Sequence, residues 1–133
     1  MSAAFDPATN SIYTVTVPNA KVKRLVVSRF DRRDMTLSEE FAPTLAPDSG
    51  LTFTGDKRSL DELYITGASV ADGKLYAISA AHGVLLTVDL TSHTVVAARR
   101  VAGLGRPVGL AIRGSEFYVL DADGSIRVVE RER

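Results

Sequence analysis

Six residues of this chain have side chains and settings suited to chemistry: His82, Asp121, Asp123, Arg106, Asn19 and Lys21. His82 stands in "SAAHGV", where a loop imidazole suits acid–base work or ligation. Asp121 and Asp123 form "DADG", the beginning of an oxygen cage for a hard cation, which would want several more oxygens. The stronger reading of Asp123-Gly124 is a hairpin turn, with the glycine supplying positive φ. Arg106 in "GLGRP" is a candidate anion contact, but without the strand-to-helix setting of a phosphate loop. Asn19 and Lys21 lie in the loop "PNAKVK". His93, in "TSHT", reads as a solvated turn residue. Histidines in separate turns lack the spacing of a metal site, and no serine stands in a nucleophile elbow. No cofactor is implied.

The elements that must position these residues repeat. "NSIYTVTV" (Asn10–Val17), "GKLYAISA" (Gly73–Ala80) and "SEFYVLDA" (Ser115–Ala122) each pass from turn residues through an apolar residue to a tyrosine and an alternating strand. Tyr76 and Tyr118 are 42 residues apart, and Tyr13 and Tyr76 are 63 apart. A short apolar strand and a turn precede each tyrosine, as in "VGLAIRGS". A second turn and a β-rich run follow it: "VKRLVVSRFD", "GVLLTVDL" and "GSIRVVER". The first two copies continue through "DRRDMT" or "DLTSHT" into a fourth strand. Asp31 and Asp89 open those turns, where a carboxylate accepts hydrogen bonds from N–H groups two residues on. Four short antiparallel strands in about 42 residues are the mark of a β-propeller blade, so the fold class is all-β.

The segment from "LLTVDLTSHTVVAARRV" to "EFYVLDADGSIRVV" resembles the bacterial YVTN-type propeller repeat. Val88, Asp89, Val95, Val96, Ala97, Val101, Pro107, Gly109, Ala111, Tyr118 and Val119 match its pattern. The likeness covers Gly67 to Val129 well and the first copy loosely, where "SIYTVTVPN" is similar to the family's Tyr-Val-Thr-Asn. The chain departs from the pattern at "RGS" after Ile112. The resemblance implies a blade, and such repeats serve binding scaffolds, lactonases and cofactor-bearing dehydrogenases alike.

The copies place blade 1 at about 3–43, an inserted loop at about 44–64, blade 2 at about 65–101 and blade 3, lacking its outer strand, at about 106–133. Propellers close with four to eight blades. The simplest account makes this chain the C-terminal part of a longer propeller; in the second, it pairs with a copy of itself to give six blades. Either way the partners include the chain's own missing blades or another copy, joined at strand edges. The 21 extra residues between Tyr13 and Tyr76 divide into 5 around "PNAKVK" and 16 after Pro43. In a propeller both connections share one rim, which also holds His82, Asp121 and Arg106 and would face a small molecule or protein. His93 falls on the opposite rim. Within the insert, "GLTFTGDK" predicts a strand, and "SLDELY" a helical turn opened by a capping box of Ser59 and Glu62.

Composition narrows the function classes. The 133 residues suit one domain, and 16 basic against 16 acidic side chains give no electrostatic reason to expect nucleic acid. The absence of cysteine removes disulfides and thiolate metal sites. No apolar run approaches a membrane span, and "MSAAFDPATN" lacks the features of a signal peptide. As it stands the chain is expected in the cytoplasm, and in the periplasm if it belongs to a secreted precursor. The expected function is a non-catalytic binding or interaction module. The alternative is part of a propeller enzyme, a lactonase-like hydrolase or a quinoprotein-like dehydrogenase.

Overall fold

Each tyrosine segment is an extended strand in the computed structural model, which describes residues 2–16, 25–45, 65–79, 83–101 and 105–130. Among them lie twelve strands and no helix. The first sheet is a meander of β1 (Ser2–Asp6), β2 (Ser11–Thr16), β3 (Val26–Asp31) and β4 (Leu37–Phe41). The second orders β6 (Ile65–Ala71), β7 (Lys74–Ser79), β8 (Val84–Asp89) and β9 (Thr94–Arg100) in the same way. The third comprises β10 (Pro107–Arg113), β11 (Glu116–Asp121) and β12 (Ile126–Glu130).

Turn chemistry fixes the register. Asp72 and Gly73 both take positive φ (54° and 73°), the requirement of a two-residue type I′ hairpin, between β6 and β7. Asp31 and Asp89 accept hydrogen bonds from the amides of Arg33 and Thr91, each at 2.8 Å. These two turns then close identically: the amides of Met35 and His93 donate back to the carbonyls of Asp31 and Asp89, at 2.8 and 2.9 Å. Both closing residues sit in the left-handed region, at φ 58° and 59°.

With side chains alternating across each strand, every blade has two faces. Tyr13, Val15 and Val27 of blade 1 meet Val70, Leu75, Val88 and Val95 of blade 2 in one buried cluster. Tyr76, Ile78 and Leu85, on the other face of blade 2, meet Phe117 and Val119 of blade 3 in a second. The repeated tyrosine is therefore the residue by which a blade packs on its successor. Tyr76 meets the Phe117 ring edge-on, with centroids 5.0 Å apart. The inner strands β1, β6 and β10 lie side by side in that order, which makes the three sheets consecutive blades of an incomplete propeller ring.

The connection after blade 1 takes a course that the sequence does not announce. Thr44 and Leu45 form a short strand, β5, paired in parallel with Thr94 and Val95 on the outer edge of blade 2. The start of the insert thus lies along a blade edge, beginning beside the turn that carries His93. The strand expected in "GLTFTGDK" and the helical turn expected in "SLDELY" lie outside the described residues.

Candidate functional site

The inner strands begin on one rim, and their first residues converge around a cavity of about 250 Å3. Ser2 and Ala3 of β1, Thr66, Gly67 and Ala68 of β6, and Val108, Gly109 and Leu110 of β10 line it. Thr66 and Val108 are equivalent bulge residues: pairing skips from Ile65 to Gly67 in blade 2 and from Pro107 to Gly109 in blade 3. A bulge turns a strand end and re-aims side chains, as commonly occurs beside binding sites. Gly67 is required by the approach of the two strands. A Cβ there would stand 2.9 Å from the carbonyl carbon of Gly109 and from the amide nitrogen of Leu110. The Ser2 hydroxyl donates to the Ile65 carbonyl at 3.2 Å and ties blade 1 to blade 2 at this mouth. The Thr66 Oγ1 is buried and takes no hydrogen bond among the described residues.

Sequence reasoning passed over this constellation. A signal for it was present in Gly67 and Gly109, 42 residues apart in strand patterns, where an interior glycine marks a bulge or a close backbone approach.

Of the six residues singled out by type and setting, three are described. Asp121 ends β11 on the same rim, and its carboxylate accepts from the Gly105 amide at 3.2 Å and the Arg106 amide at 3.0 Å. In return the Ala122 amide donates to the Arg106 carbonyl at 2.9 Å. Asp121 thereby clamps the loop that leads into β10 at the cavity. Arg106 joins this arrangement through its backbone and is exposed. Asp123 accepts from the Ser125 hydroxyl at 2.6 Å and amide at 2.8 Å, inside a hairpin where Gly124 takes φ 91°. Those bonds, the hydroxyl's foremost, hold its carboxyl below the ordinary carboxylate range. His82, Asn19 and Lys21 lie outside the described residues.

His93 departs from expectation. Its ring stacks on Phe41 of β4, centroids 3.9 Å apart and planes 6° from parallel. Its Nε2 lies 2.5 Å from a Glu39 carboxylate oxygen, and its carbonyl accepts from the Thr44 amide at 3.2 Å. The outer strand of blade 1 ends against the outer turn of blade 2, so the residue expected to be solvated clasps two blades and the first residue of the insert. The contact joins residues about 50 positions apart, beyond any local pattern.

With this geometry in place, comparison with known proteins concerns the fold. No protein-family model matches the chain, and no curated protein is similar to it. Among solved structures the chain is similar to Sqt1 of Saccharomyces cerevisiae, a WD40 propeller protein, with a TM-score of 0.55 and 10% identity. The likeness covers 99% of this chain and 31% of Sqt1, so the chain spans about a third of that protein's length. At that identity the comparison speaks for architecture: this chain has the fold of consecutive β-propeller blades in an incomplete ring.

Proposed function

We propose that this chain is a non-catalytic β-propeller module that binds a small molecule or protein segment at the mouth of its inner strands. The observation that carries this reading is the convergence of three equivalent strand starts on one cavity, beside a loop held in place by Asp121. A concave site with a few placed polar groups, backbone N–H and C=O and a threonine or serine hydroxyl among them, is where ligands are oriented. The two rim carboxylates are already engaged by N–H and O–H donors of their own loops, which supports an ordering role for them over an acid–base one.

We further assign the blades to the YVTN-type bacterial repeat. Three of the matching positions support this through the structural tasks they perform. Asp89 holds a turn, Gly109 follows a bulge, and Tyr118 occupies the inter-blade position of its copy. A test assays the chain with γ-butyrolactone, and with an alcohol, a quinone cofactor, calcium and a dye acceptor. The module should turn over neither and should show no calcium-dependent rise in Tm. Amide resonances of Gly67 and Gly109 should shift in titrations with short-peptide mixtures. A turnover lost in a normally folded His82→Ala or Asp121→Ala variant would overturn the reading in favour of a propeller enzyme.

A further inference from the structure

The two outward faces of the arc have the composition of blade interfaces. On blade 3, Tyr118, Leu120 and Ile126 occupy the places that Tyr76, Ile78 and Leu85 hold on blade 2, as the strand registers show. Leu120, Ile126 and Val128 are 42, 63 and 53% exposed. On blade 1, Phe5, Ile12, Phe30 and Leu37 occupy the places of Val70, Leu75, Val88 and Val95. Those four are core residues on blade 2, whereas Phe5 and Leu37 are 47 and 53% exposed. The arc thus presents a tyrosine-bearing face at one end and the face that receives such a tyrosine at the other.

We propose that a second copy of this chain covers both faces. A two-fold axis along the propeller axis would set blade 3 of each copy on blade 1 of its partner and close a six-bladed ring. Closure numbers admit this occupant. Propellers close with about four to eight blades, and two three-bladed arcs make six. Charge complementarity supports it. In blade 2 the cross-strand row at the far end of the tyrosine-bearing face is Ala71, Lys74 and Asp89, with no net charge; in blade 3 it is Arg113, Glu116 and Glu130, all exposed, with one negative charge in excess. Like charges directly opposite one another are destabilising, and Arg113 offsets only one of the two carboxylates. Arg32 is placed to offset the other. It lies over Phe5, its Cζ 5.3 Å from the ring centroid, and its equivalent in blade 2, Leu90, packs on the interface with blade 1. The inference goes beyond the rim reading and stands without it.

Light scattering of the chain across a concentration series tests the proposal. Twice the 14.3 kDa chain mass is expected, with a Tm that rises with concentration. Leu120→Asp, on one face, and Leu37→Asp, on the other, should each give folded monomers by circular dichroism. Mixed in equal amounts they should regain dimer mass, because one of the two contacts in the mixed pair joins intact faces. Should either variant fail to fold, a surface charge reversal decides. Arg32→Glu should raise the dissociation constant at least tenfold, and adding Glu116→Lys with Glu130→Lys should restore it. A wild-type monomer throughout the series would overturn the proposal and leave the faces to blades of another chain. So would a trimer, an open-ended polymer or a charge-reversed chain that dimerises as before.

Discussion

Ile78 and Leu120 stand at the same place in consecutive blades, yet Ile78 is completely buried and Leu120 is 42% exposed. The same contrast separates Tyr76, packed on Phe117, from Tyr118, which is half-buried. Composition does not distinguish the two regions, since both follow one repeat. What differs is the presence of a following blade. An apolar face of this kind therefore reports an interface, and the energy available from it is realised only when a complementary face arrives.

Truncation at the paired positions tests this comparison most strongly. Ile78→Ala empties a site closed on all sides and should cost about 2–5 kcal/mol in urea unfolding. Leu120→Ala in dilute solution removes a side chain already in water and should stay within about 0.5 kcal/mol. The gap should narrow as concentration rises if a second copy covers Leu120. Equal losses for both variants at every dilution would break the comparison.

Gly67→Ala probes the closed region at its inner edge and should have the next largest effect. The added methyl meets backbone atoms of β10 at 2.9 Å, and backbone gives way less readily than the end of a flexible side chain. Forcing β6 and β10 apart should cost about 1–3 kcal/mol. Gly114→Ala, with nothing within 4 Å of the new Cβ, is a control of a different kind. Its φ of 60° makes the cost one of backbone strain alone. A Gly67→Ala protein as stable as wild type would mean that the strands are looser at the mouth than their separation implies.

The meander of each blade was legible because its causes are local: alternation writes the strands, and Asp, Asn and Gly write the turns. The run Phe117–Leu120 carries a second signal, which the reading of it as an alternating strand passed over. Four apolar residues in succession mark a strand built for burial on both faces, and Leu120 is where that burial is unfulfilled. The clasp of His93 with Glu39 and Phe41 was not legible. It depends on the twist that carries the end of β4 to the outer turn of the next blade, a property of the assembled sheets. The parallel addition of Thr44 and Leu45 to β9 was hidden for the same reason. At the mouth, the glycines could be read from their spacing. The bulges that aim Thr66 and Val108 required the ladder itself.

The smallest effect should come from the turns, and it should ignore the difference between covered and open faces. Asp89 belongs to blade 2 and Asp123 to blade 3. Hydrogen bonds from the Ser92 and Thr91 amides hold the Asp89 carboxyl below its ordinary range, as the Ser125 hydroxyl and amide do for Asp123. A carboxyl whose folded value is depressed adds stability that is fully present above its unfolded value, about 3.9, and is lost as pH falls through the folded value. Asp89→Asn and Asp123→Asn keep an acceptor oxygen but do not titrate. Each should therefore be less stable than wild type near pH 7, and the difference should shrink toward zero below about pH 4. Thermal unfolding from pH 2 to pH 7 measures this directly. The shrinkage should have the same sign for both residues and should not depend on protein concentration, because the donors come from the carboxylate's own turn. A concentration-dependent difference at Asp123 alone would extend the open interface of blade 3 as far as its hairpin tip.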